Sequence, residues 1–286
     1  ATFSGDTKYV LTEEAAEQRR HSDPDEDTDI DLKPKNNQIV FYRDGKKISI
    51  VPEKLEDESF VVFGIKACDL RGIEVLDKVF LSEPIDTFYA ARRAHGTVVA
   101  LACAAPSESC FCHAFDIDPT APAGADVVIW PVGESFMWQA QTEKGEALTV
   151  LAGDLLTAAA AEDETALEEA RAFTKNIMTK LPYADLSLEG WGAGKTDEKF
   201  NSPVWDTLYK GCLACGTCTF VCPTCQCYDI KDYTTGAGVQ RFRCWDSCMY
   251  SDFTMMAHGN NRTSQMQRFR QRFMHKLVYF PTNNDG

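Results

Sequence analysis

No apolar run in this chain is long enough to cross a bilayer, which takes about 20 residues, so no transmembrane helix is expected. The first residues, Ala-Thr-Phe-Ser-Gly-Asp, are polar and lack the apolar stretch of a secretory signal. Met is missing at position 1, which predicts that part of the N-terminus is absent. Positive charge is scarce: 29 Lys and Arg stand against 43 Asp and Glu, for a net charge of −14. That excludes a nucleic-acid binder, which needs a basic face to meet phosphates. It suits a protein that docks on other proteins, and equally plain solubility. No Gly-x-Gly-x-x-Gly follows a strand, so no dinucleotide is held by the usual loop. Gly192-Ala-Gly-Lys195-Thr196 has the ending of a phosphate-binding loop, but Glu189 stands where its first glycine belongs and no strand leads into it. There is no internal repeat. The one biased segment, Asp23-Pro-Asp-Glu-Asp27, reads as a solvated loop. The chain offers no obvious general base, nucleophile or substrate pocket, so no residue is assigned as catalytic.

What the chain has in quantity is cysteine, with 12 in 286 residues. A secreted disulfide scaffold is usually short, whereas this length holds about two ordinary domains and its composition can bury a core. Metal or redox cofactors are the stronger account. The cysteines fall into two groups, four between Cys68 and Cys112 and eight between Cys212 and Cys248.

The periodicity divides the chain in a compatible way. Ile39–Ile50 reads as a hairpin turning at Asp44-Gly45. Phe60–Ile65, Thr97–Ala102 and Asp126–Trp130 read as strands. Asp69–Phe80 and Asp86–His95 read as helices, and Ser135–Val150 as a hairpin turning at Lys144-Gly145. Leu167, Ala170, Phe173, Ile177 and Leu181 mark a helix that stops at Pro182, with a Glu-rich start and a Lys-bearing end. Tyr183–Asn201 reads as a linker. The predicted fold class is α+β. Residues 1–152 form an α/β domain with a mixed sheet and an iron–sulfur site, 153–200 a helix and linker, and 201–286 a ferredoxin-like, mostly helical 4Fe–4S domain.

The chemistry is carried by Cys212-Leu-Ala-Cys215-Gly-Thr-Cys218-Thr-Phe-Val-Cys222-Pro. This is Cys-x₂-Cys-x₂-Cys-x₃-Cys-Pro, the bacterial ferredoxin run, whose fourth cysteine ordinarily serves a second cluster. Thiolates two residues apart can wrap several irons of one cube through a tight turn, and Gly216 relieves crowding there. Pro223 ends the turn without an N–H that needs a partner. Zinc prefers two separated cysteine pairs to four cysteines in one short run. Cys225 and Cys227, then Cys244 and Cys248, are candidate further ligands, the alternative being free buried thiols.

In the first group, Cys68 and Cys103 each follow a strand. If a right-handed crossover joins those strands, both cysteines emerge at the carboxyl edge of one sheet, where α/β proteins place ligand sites. Cys110 and Cys112 lie on the following loop. The four could hold a cluster, or be two core cysteines plus a loop pair. His113 reads as a surface or supporting residue. Arg262, Arg268, Arg270, Arg272 and Lys276 form a basic stretch. It reads either as charge that raises a cluster's potential or docks an acidic ferredoxin, or as a solvated helix face with Met266, Phe269 and Phe273 turned inward. Phe220, Tyr228, Phe242 and Trp245 are expected to form an apolar shell.

Several segments together resemble a known family. They are Phe63-Gly-Ile-Lys-Ala-Cys68-Asp-Leu-Arg-Gly, the stretch from Cys103 to Cys112, the stretch from Cys212 to Cys227, Arg243-Cys-Trp-Asp-Ser-Cys248, His258-Gly-Asn-Asn-Arg262 and Arg270–Lys276. They are similar to the beta subunit of cytoplasmic sulfhydrogenases and to the iron–sulfur subunit of anaerobic sulfite reductases, relatives of which accompany heterodisulfide-reductase-like complexes. The resemblance implies a cytoplasmic, anaerobic electron-transfer subunit with two to three 4Fe–4S clusters. It would relay electrons between a partner that binds flavin and NAD(P) and a catalytic redox subunit, with ferredoxin as a further partner. It implies Cys212, Cys215, Cys218 and Cys222 as ligands and supports Cys68, Cys103, Cys110 and Cys112. The family places a second ferredoxin run after Tyr279-Phe-Pro, about where this chain ends at Gly286. The chain is therefore expected to be incomplete at its C-terminus, or its second cluster to be rebuilt from Cys225, Cys227, Cys244 and Cys248. Two rivals come from other classes. One is a zinc-stabilised interaction module. The other is a reductase acting directly on a disulfide or sulfite.

Overall fold

The apolar run Phe60–Ile65 is a strand in the computed structural model, which describes residues 8–11, 38–44, 47–55, 57–235 and 238–284. The acidic run 23–27 lies outside those residues. In chain order the main elements are β1 (Lys8–Leu11), β2 (Gln38–Asp44), β3 (Lys47–Pro52), β4 (Phe60–Ile65), α1 (Ala67–Phe80), α2 (Thr87–His95), β5 (Gly96–Leu101), β6 (Val127–Val132), β7 (Ser135–Ala140), α3 (Glu143–Ala152), β8 (Leu156–Ala158), α4 (Ala161–Met178), β9 (Tyr228–Thr235), β10 (Gly238–Trp245) and α5 (Gln265–Met274). The chain is α+β. It divides into two compact units, residues 1–32, 57–74 and 93–188 in one, and 33–56, 75–92 and 189–286 in the other. No helix among the described residues is long and apolar enough to cross a membrane.

The first unit is built on a six-stranded mixed sheet in the order β4-β5-β6-β7-β1-β8. The β4/β5 and β5/β6 pairs are parallel and the rest antiparallel, so Cys68 and Cys103 follow neighbouring parallel strands as their spacing predicts. Val98 and Ala100 face one core with Val62, Val128, Trp130, Leu70, Ile73 and Leu167, while Val99 and Leu101 face the other with Val127, Ile129 and Trp138. A strand buried on both faces reads as a continuous apolar run, which is why Thr97–Ala102 shows no alternation. The ladder skips Gly64, at φ +85, between the Phe63 and Ile65 pairings. That bulge re-aims the chain just before Cys68.

One prediction fails here. Ser135–Val150 is not a hairpin: β7 ends at Ala140 and α3 begins at Glu143. Thr142 caps the helix by accepting from Gly145 N, and Glu143 and Glu146 occupy the first turn, where negative charge suits the dipole. The hairpin lies earlier, with β6 turning into β7 at Gly133-Glu134. Gly145 serves close approach rather than a turn. A Cβ there would strike the Asp126 carbonyl oxygen and come within 3.2 Å of Val127 Cγ2. Gly145→Ala is accordingly expected to destabilise the protein by about 1–3 kcal/mol through overpacking against backbone, read as a lowered melting temperature. An unchanged melting temperature would show that α3 can move off the sheet without cost.

The second unit has a four-stranded antiparallel sheet in the order β3-β2-β10-β9. Asp44 pairs with Lys47 across the predicted β2–β3 hairpin. The same unit holds a helical layer in which Trp205, Met274 and Val278 are buried against Trp191, Phe200, Met266, Phe269 and Phe273. Short helical turns at Thr196–Phe200, Trp205–Leu208 and Thr217–Phe220 lead into and through the ferredoxin run.

Candidate metal centres

The first unit carries four thiols on three segments. Cys68 lies in the first turn of α1, Cys103 two residues past β5, and Cys110 and Cys112 on the loop that returns to β6. Cys103 N donates to Pro119 O at 2.8 Å, closing that loop at its base. Ser107 N and its hydroxyl both lie 3.3 Å from Cys110 Sγ. Burial raises the Cys112 thiol above its ordinary range, and the neighbouring Cys110 and Cys103 raise it further. Burial likewise pushes Cys68 up to about 11, with Asp69 and Cys112 adding to it. Cys112 therefore lies within electrostatic reach of the other three. Four thiols that oppose one another's ionisation are a donor set waiting for a cation, because metal-bound thiols must be deprotonated.

In the second unit the run wraps as its spacing predicts. Ala214 at φ +57 and Gly216 at φ +79 supply the two left-handed positions that turn the chain between Cys212 and Cys218. A Cβ on Gly216 would drive into the ring of Tyr250. Tyr250 in turn donates to Cys215 O at 2.8 Å. Thr219, buried within the run, donates to Gly216 O at 2.7 Å, which leaves its oxygen to accept from Ser247, also at 2.7 Å. Ser247 is 0% exposed and accepts from Met249 N. Asp246 N donates to Cys227 O at 3.0 Å. These bonds staple the loop 245–250 to the segment 215–227. Sequence reasoning missed Thr219, Ser247 and Tyr250, because nothing local in a Ser, Thr or Tyr marks it as a cluster-loop staple.

The staples bring later cysteines to the run. Cys225 hydrogen-bonds to Cys222, and this bond leads the causes that drive the Cys222 thiol well below its ordinary range, against burial and with help from Lys276 and Thr224. Cys225 is raised correspondingly. Cys248 and Cys227 form a second such pair, with Cys227 lowered and Cys248 raised. Cys225 also feels the charge of Cys248, and Cys248 that of Cys218, which makes one continuous row. The exposed Cys215 is lowered by the Thr217 hydroxyl and backbone N–H. Cys244 is not brought into this row: it lies inside β10, opposite Asp229 in the ladder.

Two side chains from the C-terminal helical stretch reach sulfurs of the run. Gln265 Nε2 donates to Cys212 Sγ at 3.3 Å, and Lys276 Nζ donates to Cys222 Sγ. The expected aromatic shell is only partly there. Phe220 and Tyr228 are exposed, with Phe220 against Tyr250, while Trp245 packs edge-on against Phe80. The groups buried beside the thiols are instead Thr219, Ser247 and Met249.

The donor set fits iron–sulfur clusters. The row contains thiol pairs that share a proton between two sulfurs, and irons take the place of those protons. Among the described residues, no three His, Cys, Asp or Glu side chains are gathered closely enough to hold a single metal ion. Residues 211–286 match the family described as a 4Fe–4S dicluster domain, so 4Fe–4S clusters are the cofactors of this region. The chain is 34% identical over 232 residues to sulfhydrogenase 2 subunit beta of Pyrococcus furiosus. That match spans 79% of this chain and 66% of the relative, just under two thirds of its length. No solved structure matches the chain.

Proposed function

We propose that this chain, which belongs to the family of the sulfhydrogenase beta subunit and bears its 4Fe–4S dicluster domain, is the electron-transfer subunit of an anaerobic, cytoplasmic redox complex. It relays single electrons between a partner that binds flavin and NAD(P) and a catalytic subunit of hydrogenase, heterodisulfide-reductase-like or sulfite-reductase-like type. Cys212, Cys215, Cys218 and Cys222 hold the clusters of the second unit, joined by Cys225, Cys227 and Cys248. Cys68, Cys103, Cys110 and Cys112 hold a further cluster in the first unit.

The observation that carries this reading is the hydrogen-bonded thiol row running from Cys222 through Cys225 and Cys248 to Cys227, beside the ferredoxin run. Bound clusters supply the capacity to take up and return one electron at a time. The protein's part is to hold the sulfurs, donate hydrogen bonds to them and fix the charge around them. Each transfer moves one electron from a reduced donor to an oxidised acceptor, with no bond made or broken in this chain. Iron and acid-labile sulfide per chain, measured on anaerobically purified protein with EPR after dithionite reduction, test the reading. About eight irons or more, with reduced 4Fe–4S signals, are expected from two to three four-iron clusters. Little iron with stoichiometric zinc would replace the relay by an interaction module.

A further inference from the structure

The basic C-terminal stretch does more than present a charged helix face. α5 begins behind the Ser264 cap, where the Ser264 side chain accepts from Gln267 N and Gln267 Oε1 accepts from Ser264 N. It continues through a π-helical turn, His275–Tyr279. Met266, Phe269 and Phe273 pack inward on the Trp205 cluster. Gln265 and Lys276 are eleven residues apart, close to three full turns, so they share one face about 16 Å apart along the axis at 1.5 Å per residue. Each ends on a cysteine sulfur. The amide of Gln265 is held the right way round, because its Oε1 accepts from Arg268 Nε at 3.2 Å and from a second Arg268 N–H at 3.1 Å, leaving Nε2 to donate to Cys212. Arg268 is anchored in turn on Arg262 O at 2.7 Å. At the other end, Lys276 brings a formal positive charge to Cys222, a sulfur that also meets the Thr224 hydroxyl at 3.1 Å.

In a ferredoxin run the first and fourth cysteines belong to different clusters. Hydrogen bonds to ligand sulfurs and local charge are among the quantities that set a cluster's potential, and a charged donor acts more strongly than a neutral one. We propose that this helical stretch is a donor rail that separates the potentials of the two clusters, a neutral amide on Cys212 serving one and the Lys276 ammonium on Cys222 raising the other. The inference rests on the reading of Cys212 and Cys222 as ligands. Lys276 and Gln265 act through those ligands and are positioning residues. The order of the potentials would then be a property of this chain, fixed before any partner docks.

The test is an EPR-monitored redox titration of the full iron-loaded chain, with iron and sulfide content measured on the same samples. Lys276→Met and Lys276→Gln are expected to keep their iron and to lower one midpoint by about tenfold in the reduction equilibrium, which is 59 mV for one electron, with the other midpoint unmoved. The Gln variant keeps a donor and drops only the charge, so the test stands if the Met variant fails to fold. Lys276→Arg should return the midpoint toward wild type. Gln265→Leu should shift the other midpoint, by less. Unmoved midpoints in iron-loaded Lys276 variants would overturn the rail while leaving the relay intact. So would both midpoints falling together, or the Lys276 and Gln265 variants shifting the same midpoint. A wild-type chain without clusters would overturn the relay, and the rail with it.

Discussion

Cys112→Ser is expected to remove about four irons per chain and to leave the reduced EPR signals of the C-terminal clusters in place, by iron analysis and EPR on the same sample. The effect is large because Cys112 is the thiol on which the first group turns. Its ionisation is opposed by Cys110 and Cys103, and it opposes that of Cys68. A group in that position gains most from a cation, and its loss leaves three thiols on separate segments without a fourth donor. Serine keeps the size of the side chain, so a loss of iron would report ligation rather than a cavity. Cys68→Ser should behave alike. Its acidic neighbour Asp69 accepts from Lys66 N at 3.3 Å and so sits at the start of α1 beside the thiol. That negative charge would set the potential here in the opposite sense to Lys276. Unchanged iron content in both variants would make the four cysteines structural, two at strand ends and two in a loop, and confine the clusters to the second unit.

The two sites were legible to different depths because different forces build them. The parallel pairing of β4 and β5 and the placing of Cys68 and Cys103 at one sheet edge followed from an apolar run, a helix with Ile73, Leu76 and Phe80 in register, and a second apolar run, all within a short stretch. The ferredoxin run is likewise local: its turn residues and thiols are neighbours in sequence. What could not be read was whatever depends on distant segments meeting. The pairing of β2 with β10, where Phe41 faces Val239, has no short-range signature. Lys144-Gly145 looked like a turn because glycine beside a polar residue usually is one. Here Thr142 caps a helix, and the glycine is needed where that helix presses on the Asp126 carbonyl. The basic stretch left two readings open, and the structure holds elements of both. Its apolar residues do turn inward, while Lys276 and Gln265, three turns apart, end on sulfurs. The i, i+11 spacing was visible in the sequence, but nothing showed where the sulfurs would be.

The later cysteines are where this distinction gives its sharpest expectation. From spacing, Cys225, Cys227, Cys244 and Cys248 were equivalent candidates, and the structure separates them. Cys225, Cys227 and Cys248 lie in the thiol row, held there by the Thr219–Ser247 and Asp246–Cys227 bonds, whereas Cys244 is a strand residue paired with Asp229. Cys248→Ala is therefore expected to lose about four irons per chain, the content of one cluster. Cys244→Ala should keep its iron and its EPR spectrum. The contrast has a physical source beyond ligand counting. Cys248 shares its proton with Cys227, near Arg262, so its removal strips a buried partner from a sulfur already drawn toward the thiolate. Removing Cys244 takes a half-buried side chain from a solvated ladder. If Cys244→Ala loses iron while Cys248→Ala keeps it, the row is a set of free thiols. The fourth donor of the run would then have to come from β10, through a rearrangement of the strand end at Trp245.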